Sequence, residues 1–192
     1  CSRLIVVTEH NCAEIEAKLE AVTAELDRIK FTLDVVGTVD LDTGLLNRNG
    51  ICESIQRAHR WLVRRGDIYG VLYITFPDLD VSNTSDPSYL ELMKHLAATI
   101  GAGVRDVDEV GRAADHSFAV VLANLEPGAL HLVAERVTKL LRQVIEAPNL
   151  TGEFQMGGVE TLTASHTYGT VLDTAQRLST QASLGESNLS TI

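Results

Sequence analysis

Two oppositely charged side chains stand three positions apart near the middle of the chain, at Arg105 and Asp108, and a second arginine follows at Arg112. A guanidinium group can bind a phosphate, or the Hoogsteen edge of guanine, through two parallel hydrogen bonds, and a carboxylate can accept from the N1 and amino hydrogens of guanine. The combination is therefore suited to a guanine nucleotide. An arginine and an aspartate are also common in solvated turns, where they pair only weakly, so both interpretations stay open.

Carboxylates that can hold a hard cation occur in predicted loops, at Asp78, Asp80 and Asp115. Magnesium prefers carboxylate oxygens as ligands, so a metal site built from these three residues is one hypothesis. Loop aspartates more often form turns and cap helices. We favour that second interpretation.

The composition restricts the class of partner. The 192 residues include 16 Lys+Arg and 26 Asp+Glu, a formal net charge of −10, and an acidic surface repels the phosphates of a nucleic-acid polymer. A small anionic ligand held by one or two arginines is compatible with this charge.

No segment approaches the roughly 18 apolar residues of a membrane span, so we expect a cytoplasmic protein without membrane contact in this part of the chain. The cysteines lack metal-ligand spacing, and we predict reduced thiols at Cys1, Cys12 and Cys52.

A heptad pattern runs through the N-terminal part of the chain. Apolar side chains alternate at intervals of four and three residues, at Ile15, Leu19, Val22, Leu26, Ile29, Leu33 and Val36. A helix packed on its own domain usually shows a wider apolar face, whereas this narrow stripe is the a/d seam of a coiled coil. We predict a coiled-coil helix that ends at Gly37 and joins the chain in a homodimer. An ordinary surface helix is the alternative.

Beyond Gly37 the pattern changes to alternating helices and strands with short connections. The predicted elements are helix 49–65, strand 69–76, helix 88–100, strands 108–113 and 118–123, helix 128–146, strand 154–163 and helix 170–183. The two middle strands are expected to form a hairpin around residues 114–117. This order indicates an α/β (α+β) fold with a mixed central sheet flanked by helices, in a split βαβ arrangement.

Two segments of this region resemble the motifs of GGDEF domains, the diguanylate cyclase family. Residues 40–48 fit the pattern DxLTGLxNR in order, and residues 112–122 fit the flanks of the pattern RxGGDEFAVLL. The residues that match in the first segment are Asp40, Thr43, Gly44, Leu45, Asn47 and Arg48. Of the five residues of the GGDEF motif itself, only the phenylalanine is present in the second segment, as Phe118. The resemblance covers Asp40 to Asn188 and implies the palm fold of nucleotidyl cyclases after a long coiled-coil helix.

The same resemblance implies that the catalytic residues are missing. Diguanylate cyclases need two Mg²⁺ ions, and the positions of their acidic residues correspond here to Thr75, His116 and Ser117. Hydroxyl and imidazole groups do not replace carboxylates on magnesium, and the phosphate-binding lysine of the family corresponds to Ser183. We therefore predict that the chain is not an enzyme and has no magnesium cofactor.

Nucleotide recognition is only partly retained in this comparison. Asn83 matches one guanine-reading position of the family and Leu90 replaces the other. The family often binds its product, cyclic di-GMP, at an RxxD motif, and Arg105, Asp108 and the later Arg112 stand at the matching spacing. Cyclic di-GMP is therefore the ligand that the resemblance implies for these three residues.

We predict three parts in the chain: residues 1–10 as the tail of an upstream element that includes a strand at 4–7, residues 11–37 as the coiled-coil helix, and residues 38–192 as a degenerate GGDEF domain. The leading hypothesis is a catalytically inactive regulatory module of a bacterial cyclic di-GMP signalling protein, with a sensory domain upstream. One alternative is a residual diguanylate cyclase or GTP-binding domain with relocated metal ligands. The other is a purely structural dimerisation domain.

Overall fold

The computed structural model describes residues 15–29, 32, 37–79, 86–145 and 153–192. The chain divides into two units, Cys1–Gly37 and Thr38–Ile192. No helix among the described residues is both long and apolar enough to cross a membrane. Several sequence predictions lie outside the described residues, namely those for the strand 4–7 and for Cys1, Cys12, Leu33, Val36, Asp80 and Asn83.

The first unit contains helix α1, described over residues 15–29. Five seam residues lie in it, each 48–66% exposed: Ile15, Leu19, Val22, Leu26 and Ile29. Because residues three and four apart share one face of a helix, these side chains form an exposed apolar stripe. The predicted helix is confirmed over this range, and its pairing with a second copy stays a prediction.

The described residues of the second unit form a five-stranded sheet with four helices. Its elements are α2 Arg48–Arg65, β1 Tyr69–Thr75, α3 Pro87–Ala102, β2 Glu109–Ala114, β3 Ser117–Leu122, α4 Ala129–Ile145, β4 Gln155–Thr161, α5 Tyr168–Gln181 and β5 Ser187–Thr191. The strand order is β2-β3-β1-β4-β5. Strand β1 is antiparallel to both neighbours, β2 and β3 form an antiparallel hairpin, and β4 and β5 are parallel. The predicted mixed α/β fold is confirmed.

Each face of the sheet carries its own apolar core. Leu72 and Ile74 of β1 belong to a cluster with α3 and α4, whereas Val71 and Tyr73 belong to a cluster with α2 and α5. Side chains alternate between the faces of a strand, so the apolar residues at successive positions of β1 must be covered on both sides of the sheet. Helix α5 lies so close to β4 that a Cβ at Gly157 would fall 2.1 Å from the backbone nitrogen of Ser179.

The ends of α2 and α3 are set by local sequence. Asn47 caps α2 by accepting a hydrogen bond from the Gly50 amide at 3.0 Å, and Gly66 ends this helix in the left-handed conformation, with φ of 77°. Asp86 caps α3 by accepting from the Ser88 amide at 2.8 Å. Hydrogen bonding to Ser88 also lowers the pKa of Asp86.

The structure corrects two predictions about strands. Strand β5 was not predicted, because its residues Ser187–Thr191 are polar except for Leu189 and show no apolar alternation. It forms because its backbone pairs with β4, for example Gly158 with Leu189. The hairpin turn is also tighter than predicted, since Ala114 and Ser117 belong to the strands and only Asp115 and His116 turn.

Candidate functional site

Three hydroxyl groups meet at the end of the central strand. Thr75, the last residue of β1, lies directly opposite Ser117, the first residue of β3. The Ser117 hydroxyl donates to Thr75 Oγ1 at 3.3 Å, and Thr75 Oγ1 lies 3.2 Å from Ser179 Oγ of α5. Ser117 and Ser179 are buried. The predicted pair Thr75 and Ser117 is thus brought together, and the third member, Ser179, was missed because it is far away in sequence.

This donor set does not fit a magnesium ion. Hydroxyl groups are neutral ligands, whereas Mg²⁺ is bound in proteins mainly through carboxylates. Among the described residues, no group of three or more His, Cys, Asp or Glu side chains is arranged to hold a metal ion. Asp78 and Asp115, two members of the relocated site considered above, both have exposed side chains.

His116 lies in the hairpin turn beside this cluster. Its carbonyl accepts a hydrogen bond from the Phe76 amide at 3.0 Å, which extends the pairing of β1 and β3 by one step. Its Nδ1 atom is buried and has no hydrogen-bond partner among the described residues. The residue therefore holds the turn through its backbone.

Arg112 ties the segment 40–45 to the hairpin. Its side chain, 7% exposed, donates to Asp40 Oδ2 at 3.4 Å, to Asp42 Oδ2 at 3.3 Å and to the Asp115 carbonyl at 3.2 Å. Tyr89 of α3 donates to the same carbonyl. Burial alone would lower the pKa of Arg112, but the nearby groups, Asp40 first among them, raise it above its usual value. The guanidinium is thus part of an internal network of the domain.

Asp40 also shapes the turn that precedes α2. Its Oδ1 accepts hydrogen bonds from the Thr43 amide at 2.8 Å and from the Thr43 hydroxyl at 2.5 Å. Gly44 continues the turn with a φ of 72°, a conformation that favours glycine. These residues belong to the first family motif, residues 40–48, and in the structure they form a turn.

Arg105 and Asp108 close a loop between α3 and β2. Asp108 Oδ2 accepts from the Arg105 amide at 2.9 Å, and its Oδ1 accepts from Arg105 Nη2 and from the Ala123 amide, both at 3.2 Å. Arg105 Nη2 also donates to the Ala123 carbonyl at 2.8 Å. The Asp108 side chain is fully buried, whereas that of Arg105 is 48% exposed. Of the three residues predicted to bind a nucleotide, only Arg105 reaches the surface.

The two remaining positions of the family comparison, Leu90 and Ser183, have structural roles in the domain. Leu90 of α3 packs against the core on the α3 and α4 face of the sheet. Ser183 follows α5 in a turn, where its carbonyl accepts from the Glu186 amide at 3.1 Å. Neither residue offers a charged or amide group for a nucleotide.

Solved structures of GGDEF domains share this fold. The chain is similar to the diguanylate cyclase SiaD of Pseudomonas aeruginosa, crystallised in complex with its activator SiaC, with a TM-score of 0.68 and 18% identity, covering 98% of this chain and 78% of that one. It is also similar to the coiled coil and GGDEF domain of DgcB from Caulobacter crescentus in complex with c-di-GMP, with a TM-score of 0.66 and 18% identity, covering 92% and 99%.

A third similar structure is the GGDEF domain of FimX from Pseudomonas aeruginosa, with a TM-score of 0.65 and 17% identity, covering 82% of this chain and 100% of that one. No protein-family model and no curated protein sequence matches the chain. The resemblance to GGDEF domains is therefore confirmed by the fold.

Proposed function

We propose that this chain is a catalytically inactive regulatory module of the GGDEF type in a cyclic di-GMP signalling protein, and that it forms a homodimer through α1. Its output is a change in conformation or in contact with a partner protein, without turnover of GTP. The proposal depends on the hydroxyl cluster at the end of β1, and the fold and the exposed seam of α1 support it.

The hydroxyl cluster carries the argument against catalysis. In the family comparison, Thr75 and Ser117 take the positions of metal-binding carboxylates, and in the structure they face each other across β1 and β3. Together with Ser179 they form a hydrogen-bonded chain without formal charge. A pair of magnesium ions with a bound triphosphate needs negative ligands at this position.

The exposed stripe of α1 supports self-association. Five apolar side chains on one helical face expose about half or more of their surface, and apolar surface is stabilised when it is removed from water. A heptad seam buries such a stripe against the same stripe of another copy. The DgcB structure likewise combines a coiled coil with a GGDEF domain.

A turnover assay tests the proposal. We expect the purified protein to release no pyrophosphate and to form no cyclic di-GMP when it is incubated with GTP and Mg²⁺. Turnover that disappears in Asp78→Ala would contradict the proposal and support relocated metal ligands, because Asp78 lies three residues after the end of β1.

A paired substitution tests whether the hydroxyl cluster is the cause. The double variant Thr75→Asp/Ser117→Glu restores two facing carboxylates, and we expect it to bind Mg²⁺ in calorimetry, whereas the natural protein does not. Thr75→Asn/Ser117→Gln is the matched control, since it has nearly the same side-chain size without charge. Circular dichroism checks that both variants are folded, and equal Mg²⁺ binding by the two would refute the role of charge at this position.

A further inference from the structure

One face of α2 concentrates positive charge on an otherwise acidic chain. The helix contains five arginines and one glutamate, whereas the whole chain has a formal net charge of −10. One side of α2 packs into the core that it shares with α5. Residues three and four apart lie side by side on a helix, so the exposed side presents one continuous surface. We call this surface the basic face of α2, and it consists of Arg57, Arg60, Trp61, Arg64 and Arg65.

Most of this charge is not balanced within the domain. Arg57 is paired, since its Nη2 atom donates to both carboxylate oxygens of Glu109 at 2.7 Å. Among the residues that the structure describes, Arg60, Arg64 and Arg65 form no ion pair. The C-terminal half of α2 therefore keeps three exposed guanidinium groups that can attract an anionic partner.

An aromatic ring lies between these charges. Trp61 is the single tryptophan of the chain and is 51% exposed. The guanidinium carbon of Arg65 lies 5.3 Å from the centre of its ring, a cation–π contact. This contact holds the ring in place before a partner arrives, which reduces the side-chain entropy lost on binding. Tryptophan and arginine are also enriched among the residues that dominate the energy of protein–protein interfaces.

The shape and charge of the basic face favour a protein as its partner. Small ligands bind in clefts that enclose them, whereas the exposed side of a single helix is convex. The net charge of the chain disfavours a nucleic-acid polymer. An acidic polypeptide segment with one apolar side chain complements both the guanidinium groups and the ring.

We propose that the basic face of α2 docks an acidic segment of a partner protein. Carboxylates of that segment pair with Arg60 and Arg64, and an apolar side chain packs on Trp61. This inference rests on the proposed regulatory function, because it names the surface and the chemistry of the partner contact through which such a module acts.

The fluorescence of Trp61 tests the docking surface directly, since no other tryptophan contributes. The probe is a synthetic peptide of glutamates around one central phenylalanine. We expect it to change the fluorescence of the full chain saturably, and the effect to weaken as salt is added. The control is the same peptide with lysine in place of glutamate. An unchanged signal, or equal changes with both peptides, would overturn the inference.

Cyclic di-GMP is titrated in the same way to separate a protein partner from a nucleotide. We expect no saturable change in the fluorescence of Trp61 with this ligand. A change with cyclic di-GMP, without one from the glutamate peptide, would assign the basic face to a nucleotide and overturn the protein partner.

A pair of charge variants tests the arginines. We expect Arg60→Gln/Arg64→Gln to bind the glutamate peptide about ten-fold more weakly, because two exposed ion pairs are lost. Lys94→Gln/Lys139→Gln is the matched control, since it removes two exposed positive charges from α3 and α4, on the other face of the sheet. Equal affinity of the two variants would show that net charge, and not the basic face, attracts the peptide.

Calorimetry with Trp61→Ala tests the aromatic contact without the fluorescent probe. We expect the affinity for the glutamate peptide to fall about ten-fold or more. Val63→Ala, which truncates another exposed apolar residue of α2 outside the basic face, is the control and should bind as the natural protein does. An unchanged affinity in Trp61→Ala would contradict the role of the ring.

The docking surface and the proposed function fail in different experiments. Absence of peptide binding would overturn the docking surface and leave the predicted lack of GTP turnover intact. GTP turnover would overturn the proposed function, whereas peptide binding that depends on Arg60 and Arg64 would still support the docking surface.

Discussion

Single residues in the domain hold loops together where a ligand site was predicted. Asp108 is the clearest case, because its buried carboxylate already accepts hydrogen bonds from Arg105 and from the Ala123 amide. A guanine base would have to compete with these partners and would leave the Ala123 amide without its acceptor. Removing the partner of a buried polar group costs about 1–3 kcal/mol, which a ligand contact must first offset.

Calorimetry with cyclic di-GMP tests the consequence for binding. We expect no saturable heat with the natural protein, because both oxygens of Asp108 are engaged and Arg112 is buried in its own network. Saturable heat that disappears in Arg105→Ala would contradict this expectation and would show that the loop opens for the ligand. Arg177→Ala, which removes an exposed positive charge from α5, is a control for the loss of one positive charge elsewhere on the domain.

Tyr69 makes the stability of the domain sensitive to alkaline pH. It is buried at the start of β1, with its hydroxyl 3.3 Å from His59 Nδ1, and burial raises its pKa. A raised pKa in the folded state means that the folded protein binds the proton more tightly than the unfolded chain does. The contribution of Tyr69 to the unfolding free energy is therefore fully present below the usual pKa of tyrosine, about 10, and decreases as the pH rises beyond it.

We therefore expect the unfolding free energy to fall less steeply above about pH 10 in Tyr69→Phe than in the natural protein. Urea unfolding at several pH values measures these slopes. Tyr168→Phe, which alters an exposed tyrosine, is the control and should leave the slope unchanged. Equal slopes for all three proteins would refute the prediction.

At the scale of the elements, α4 depends on a carboxylate from a neighbouring strand. Glu160 of β4 is buried and accepts hydrogen bonds from the Gly128 amide at 3.0 Å and from the Leu130 amide at 3.4 Å. A negative charge at the N-terminus of a helix also interacts favourably with the helix dipole. One side chain therefore caps α4 and joins it to the sheet.

We expect Glu160→Gln to lower the unfolding free energy by about 1–3 kcal/mol, because it removes the negative charge at the N-terminus of α4 and places an amide nitrogen, which cannot accept, against the Gly128 amide. Thermal and denaturant unfolding measure the change. Glu126→Gln is the matched control, since it removes the same charge from an exposed side chain in the loop before α4. Equal stability of the two variants would show that Glu160 is not the cap.

At the scale of the whole molecule, the chain consists of two units with different physical requirements. The unit Thr38–Ile192 has an apolar core on each face of its sheet, whereas the described part of the first unit is a helix with an exposed apolar stripe. The proposed self-association is therefore assigned to the first unit.

Removal of residues 1–37 tests this division of roles. We expect the remaining chain to unfold cooperatively, since it retains both cores, and to sediment with the mass of a single chain. The full chain measured at the same protein concentration is the control. A shortened chain that still self-associates would place an interface in the domain and contradict the role given to α1.

The sequence by itself determined the elements that are strongly patterned. The heptads of α1 and the apolar run of β1 depend on local periodicity, and Asn47 and Gly66 mark the ends of α2 through capping chemistry. The resemblance of residues 40–48 and 112–122 to family motifs indicated the fold, because these segments form the turn and hairpin that the fold requires.

Only the tertiary structure decided what the polar residues do. Strand β5 forms through backbone pairing with β4, which polar residues such as Ser187 and Asn188 do not predict. Ser179 lies 104 residues beyond Thr75 and reaches it only because Gly157 lets α5 lie against the sheet. The burial of Asp108 is likewise a property of the closed loop. Local sequence sets periodicity and turns, and the folded chain sets which distant groups meet and which are removed from water.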